Sequence, residues 1–341
     1  MARRRVRPGA TRPSTVIALV FLGSAGVAAL LFALDARQRR TTGASVPSGP
    51  AEQSPAPDDA SAAASPTAPP PASAAPRPVR SARPLERPEE GACPRDMVLV
   101  AGEHCPFVAH RCTKSRPPAR PGEPATCEKF ANEVLCEGAL IPMRFCMDRF
   151  EYPNVERALP AVLISFEHAE AACAAEGKRL CAAREWAFAC EGEAVLPYPI
   201  GLERTASACN WDAGPEARVV PSRGPTVERA VAKVDRRAPA GERAGCDSPF
   251  GARDLAGNVA EWVVEPINSR TRHPFASVIA GGAWGKGPGT CRALDDGHPP
   301  LHRAVTVGFR CCADAFGAGP PRATGRKGAG LVPIVPPRGL P

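Results

Sequence analysis

The stretch Val278–Cys312 reads VIAGGAWGKGPGTCRALDDGHPPLHRAVTVGFRCC. An apolar run enters a glycine-rich turn, passes one isolated cysteine and a His/Pro loop, and closes on a pair of cysteines. Gly281 and Gly282 permit a tighter turn than a residue with a side chain would. Cys291 is either a reactive thiol or half of a structural crosslink, and the two readings give the chain different functions. Gly281–Gly289 lacks the G-x-x-x-x-G-K-[ST] order of a phosphate loop. His298 and His302 have the i,i+4 spacing of metal ligands. Pro299 and Pro300 lie between them and oppose the helix that this spacing needs, so a plain loop is expected.

Outward from this stretch, the cysteines define the compartment. The 341-residue chain has 14 of them, all between Cys93 and Cys312. Its Pro-rich ends leave one core of roughly 200–230 residues, large enough to stand without crosslinks. An even cysteine count in an exported chain reads as up to seven disulfides. Metal binding competes poorly, because no C-x-x-C pair occurs.

The net charge of +8 is located at the ends. Residues 1–40 carry eight arginines against Asp35, and the segment after Ala315 carries Arg322, Arg326, Lys327 and Arg338 with no acid. The middle is therefore acidic overall, which excludes a basic nucleic-acid footprint on the folded part.

No charge occurs from Val16 to Leu34. At ~1.5 Å per residue, a helix of that run just crosses a ~30 Å hydrocarbon core. A cleaved signal peptide is the alternative, but its apolar region is usually shorter and ends at a small-residue site. With basic residues 1–15 kept inside, 16–34 is expected to be a transmembrane signal anchor and the rest to lie on the extracytoplasmic, periplasmic side of the inner membrane. Residues 35–92 are rich in Pro and Ala and are expected to form a disordered, semi-rigid spacer. A domain over 93–315 and a disordered tail over 316–341 complete the organisation.

Within the domain, residues 93–146 alternate short apolar runs with polar turns and suggest strands joined by disulfides whose pairing stays open. ISFEHAEAACAAEG has apolar residues at helical spacing, with Ser165 as N-cap, His168 three residues on, and Gly177 as stop. The alternative of His168 as a catalytic base is weaker than a packing role. A second helix covers AAREWAFAC. Residues 212–243 read as a surface excursion with a short strand near Val231–Val234. After it, CDSPFGARDLAGNVAEWVVEP is a turn-rich approach to an apolar strand.

GKRLCAAREWAFACEG, YPIG, CN, FGARDLAGNVAEWV, GGAW and GFRC occur here in an order that resembles the formylglycine-generating enzyme, or sulfatase-modifying factor, family, over roughly residues 95–315. The resemblance implies an irregular α+β fold related to C-type lectins. It also implies copper-dependent oxidation of a cysteine in a Cys-x-Pro-x-Arg segment of sulfatases, with copper held by two cysteines after the glycine turn. Soft Cu(I) needs such a deprotonated, closely spaced pair. Lys286 stands at the first of the two positions and Ala283 replaces the serine of the turn, so copper is not expected. By its distance from the glycines Cys291 matches the second copper cysteine, which keeps it a candidate catalytic residue. Counted back from GFRC, it matches a structural cysteine.

The same resemblance implies the pairs Cys173–Cys311, Cys190–Cys291, Cys181–Cys312 and Cys209–Cys246. It implies calcium on Asp254 and Glu261 with the carbonyls of Gly257 and Val259, and a second site beginning at Asn210 and Trp211. These oxygen donors suit a hard cation. The function expected from the sequence is a membrane-anchored, exported domain acting as a binding or scaffold module for a peptide or glycan. An active oxidase, or other chemistry in the same pocket, is the alternative.

Overall fold

The computed structural model describes residues 91–118, 121, 124–214, 226–265, 275–285, 287–317, 325–328 and 330–334. These lie in one compact unit running from Ala75 to Pro341. The expected span 16–34 and most of the spacer fall outside the described residues. Among those described, no helix is long and apolar enough to cross a membrane.

Three small sheets carry the fold. The first joins β1 (Met97–His104), β4 (Ile141–Asp148), β10 (Cys311–Asp314) and β5 (Arg179–Leu180), in that spatial order and antiparallel throughout. The second joins β11 (Gly330–Pro333), β3 (Thr126–Glu137) and β2 (Phe107–Arg116). The third joins β8 (Leu294–Asp295), β7 (Ser277–Ala280), β6 (Ala260–Val264) and β9 (Val307–Phe309), with β6 and β9 parallel.

Two of the helices form where the sequence places them, for local reasons. Helix α1 (Phe166–Ala175) starts at Ser165, whose side chain accepts from the backbone N–H of His168. It stops where Gly177 takes φ +69°, with Gly177 N bonded to Ala174 O and Lys178 N to Cys173 O. That pair of bonds satisfies two end carbonyls that have no partner inside the helix. Helix α2 (Ala183–Glu191) has no capping hydroxyl. Instead Glu185 Oε2 accepts from Ala182 N at 2.8 Å while both its oxygens hold Arg179.

β10 explains why two adjacent cysteines serve two cores. Successive side chains of a strand face opposite ways. Cys311 joins Cys173 of α1 in the cluster around Trp262 and Phe309, whereas Cys312 joins Cys181 in the cluster around Trp186 and Phe188. The chain's four tryptophans, Trp186, Trp211, Trp262 and Trp284, are all fully buried.

Two expectations are corrected. Residues near Val231–Val234 are helical, not extended: α3 (Val227–Val234) carries Val231 and Val234 against the cluster of Trp284 and Val305. Val227, Val231 and Val234 stand at i, i+4 and i+7, which is helical spacing. The expected tail from residue 316 is also partly in the fold. Gly330–Pro333 pair with β3, and Ile334 is buried beside Val134 and Leu196.

Candidate functional site

The Gly281–Cys291 turn is fixed by close approach and by buried polar contacts. A Cβ on Gly281, at φ +71°, would lie 2.9 Å from the Trp186 ring and 3.0 Å from Leu255 O. One on Gly282 would lie 3.0 Å from the Cα of Gly289, so the two limbs of the turn touch. Trp284 N donates to Asn258 O at 3.1 Å, and its carbonyl accepts from Ala213 N at 3.0 Å. Buried Arg204 lies 4.5 Å over the Trp211 ring and donates to Trp211 O at 2.7 Å and Pro288 O at 3.3 Å. Lys286 lies outside the described residues.

Cys291 ends the turn with its sulfur bonded to Cys190 of α2, and the side chain is 0% exposed. This corrects the reading of Cys291 as a catalytic thiol: a sulfur in a buried disulfide has no thiolate to offer. The structure also brings together Cys173 with Cys311, Cys181 with Cys312, and Cys209 with Cys246. The pairs the sequence left open are Cys93–Cys146, Cys105–Cys136 and Cys112–Cys127.

Beside the turn lies a buried charged network. Arg310, 1% exposed, sends Nε to Glu261 Oε1 and Oε2 at 3.0 and 2.8 Å and Nη2 to Oε1 at 2.7 Å. Its other donors reach Asp148 O at 3.2 Å and Arg253 O at 2.8 Å. Trp186 Nε1 donates to Glu261 Oε2 at 2.8 Å. Glu151 accepts from Asn258 Nδ2 at 2.6 Å and Val259 N at 3.0 Å, and Asp254 accepts from Gly241 N at 2.7 Å. Burial, with Asp254 and Glu261 nearby, pushes the Glu151 carboxyl well above its ordinary range. Burial raises Asp254 to about 6 against the pull of Gly241 N–H and Arg310.

This arrangement does not fit calcium as the resemblance distributes it. A carboxylate has about four lone-pair sites, and those of Glu261 are taken by Arg310 and Trp186. Among the described residues, no three His, Cys, Asp or Glu side chains converge as a metal cage. At the second set the backbone oxygens are engaged: Asn210 O accepts from Asn258 N at 2.7 Å and Trp211 O from Arg204 Nη2 at 2.7 Å, while Asn210 Nδ2 donates to Arg236 O and Asn258 Oδ1. Asn210 and Trp211 thus buttress Gly257, where a Cβ would lie 2.6 Å from Asn210 O.

Sequence reasoning did not assign roles to Arg310, Glu151 or Arg204. Arg310 stands inside GFRC, so its motif was visible although its partner was not. Glu151 and Arg204 belong to no motif.

A family model of the sulfatase-modifying factor enzyme 1-like domain matches residues 124–315. The structure of PvdO from Pseudomonas aeruginosa is similar at 17% identity, covering 64% of this chain and 94% of that one, with a TM-score of 0.40. CarF is similar at 16% identity, covering 65% and 98%, with a TM-score of 0.41. Treponema denticola variable protein 1 is similar at 14% identity, covering 59% and 98%, with a TM-score of 0.35.

Proposed function

Because the chain belongs to the sulfatase-modifying factor enzyme 1-like family, we propose that it is an exported, membrane-anchored binding module of that family which does not carry out copper-dependent formylglycine formation. One observation carries this reading. All fourteen cysteines are consumed by seven disulfides, Cys291 among them, so no thiolate pair is present for Cu(I). Lys286 at the other copper position supports it from the sequence.

Seven disulfides also support an oxidising, extracytoplasmic location, where such bonds persist. The uncharged run Val16–Leu34 then serves as anchor. For the ligand, the reading is supported by a pocket of about 270 Å³ beside β2, walled by Pro106, Phe107, Val108 and Leu135 with Arg292 at one side. β2 is an edge strand of its sheet, and an edge next to a pocket of mixed apolar and charged lining suits an extended peptide.

The test is copper stoichiometry on the full chain under anaerobic reducing-free conditions, with alkylation of the native protein in parallel. The expected result is no stoichiometric Cu(I) and no alkylated Cys291. Tight Cu(I) binding lost on Cys291→Ser would contradict the reading.

A further inference from the structure

The disulfide that crosses β2 and β3 differs from the other six. Five bridges join two buried residues, and Cys93–Cys146 has one buried end at Cys146. Cys112–Cys127 has no buried end: Cys112 is exposed and Cys127 half-buried. Arg111, Thr113, Lys114 and Ser115 are exposed as well, so the bridge sits on an open stretch of an edge strand. Its cysteines are also the closest in sequence, 15 residues apart, where the other separations run from 31 to 138.

The two strands have other ties at this point. Thr113 Oγ1 donates to Lys129 O at 3.0 Å, Lys114 Nζ lies 3.1 Å from Glu128, and Arg116 Nη2 lies 3.0 Å from Asp212. On the far side of β3, Arg204 N donates to Glu128 O at 2.9 Å and Phe130 N to Leu202 O at 3.0 Å. Reduced sulfurs would find acceptors already in place, with Lys114 O 3.3 Å from Cys112 Sγ and Lys129 O 3.1 Å from Cys127 Sγ. Opening the bridge therefore leaves two thiols side by side on strands that stay paired.

We propose that Cys112–Cys127 is a thiol–disulfide exchange site, opened by a dithiol and closed again by a disulfide through the same steps in reverse. Exposed disulfides are the labile ones, because an attacking thiolate can reach them. One thiolate of the dithiol attacks Cys112 Sγ; the S–S bond breaks, and Cys127 leaves as a thiolate that takes a proton from water. The second thiolate of the dithiol then attacks its own sulfur in the mixed disulfide and releases Cys112. Two electrons pass to the bridge, which becomes two thiols, while the dithiol becomes a disulfide. A monothiol stalls after the first step, since Cys127, held beside Cys112 at high effective concentration, expels it.

The experiment treats the native full chain with increasing dithiothreitol, blocks free thiols with iodoacetamide and maps the alkylated peptides. The expected result is a mass gain of two alkyl groups, on Cys112 and Cys127, with the other cysteines unlabelled and thermal unfolding still cooperative. Oxidised glutathione added before the alkylation should remove the label. Reduced glutathione at the same thiol concentration should leave the bridge closed. The Cys112→Ser, Cys127→Ser pair should take no label at the dithiothreitol concentration that labels the unsubstituted chain. Another bridge opening first, all bridges opening together with unfolding, or equal opening by glutathione overturns the proposal.

Discussion

Arg310 and Glu261 face one another inside the protein at 2.7, 2.8 and 3.0 Å, with side chains 0% and 1% exposed. They link β9–β10 to β6, and Trp186 of α2 donates to the same carboxylate. A buried pair of this kind adds little net stability compared with apolar replacements, but breaking one side is costly. Arg310→Met is expected to destabilise by about 3–5 kcal/mol. The double change Arg310→Met with Glu261→Gln should recover part of the loss. Urea denaturation of the unsubstituted protein and the two variants reads this directly, and a near-neutral Arg310→Met would show that the pair does not hold these elements.

Because Arg310 and Trp186 fill the acceptor sites of Glu261, the domain should not depend on calcium. Adding EDTA should leave the melting temperature unchanged, and adding Ca²⁺ afterwards should not raise it. A fall with EDTA that Ca²⁺ reverses would restore the site implied by the family resemblance.

Asp254 gives a pH signature. Burial raises its pKa from 3.8 to about 6. The folded state therefore holds the proton more tightly than the unfolded state, and folding binds protons between those values. The cost of the buried charge is full above about pH 6 and is relieved as pH falls toward 3.8. At 1.36 kcal/mol per pKa unit, that cost is roughly 3 kcal/mol. Asp254→Asn keeps an acceptor for Gly241 N and tolerates φ +59°. It should stabilise the protein at pH 8 and lose that advantage near pH 4. A benefit independent of pH would assign the effect to something other than this charge.

The Cys190–Cys291 bond closes a separation of 101 residues. Removing it with a Cys190→Ser, Cys291→Ser pair is expected to cost about 2–5 kcal/mol. Thermal unfolding of the double variant checks it, and an unchanged midpoint would make the crosslink dispensable.

The sequence made α1, α2 and the family legible because their signals are local. Ser165 and Gly177 bracket α1 within a dozen residues, and GFRC and GGAW stand as contiguous motifs. What stayed hidden depended on distant partners. Glu261 reads as a metal ligand until Arg310 is seen to meet it from another strand. Asn210 and Trp211 likewise read as the start of a cation site until their carbonyls are seen to accept from Asn258 N and Arg204. Val231–Val234 was misread because a short, exposed helix leaves only three valines as its periodic signal. β11 was missed because four residues in a Gly/Pro-rich tail carry almost none.

The most direct test of the account is turnover. The full chain, incubated with copper and oxygen and a Cys-x-Pro-x-Arg peptide, should return the peptide with its cysteine mass intact. Accumulation of the aldehyde mass, abolished by Cys291→Ser, would contradict the assignment of Cys291 to a structural disulfide and of the domain to binding.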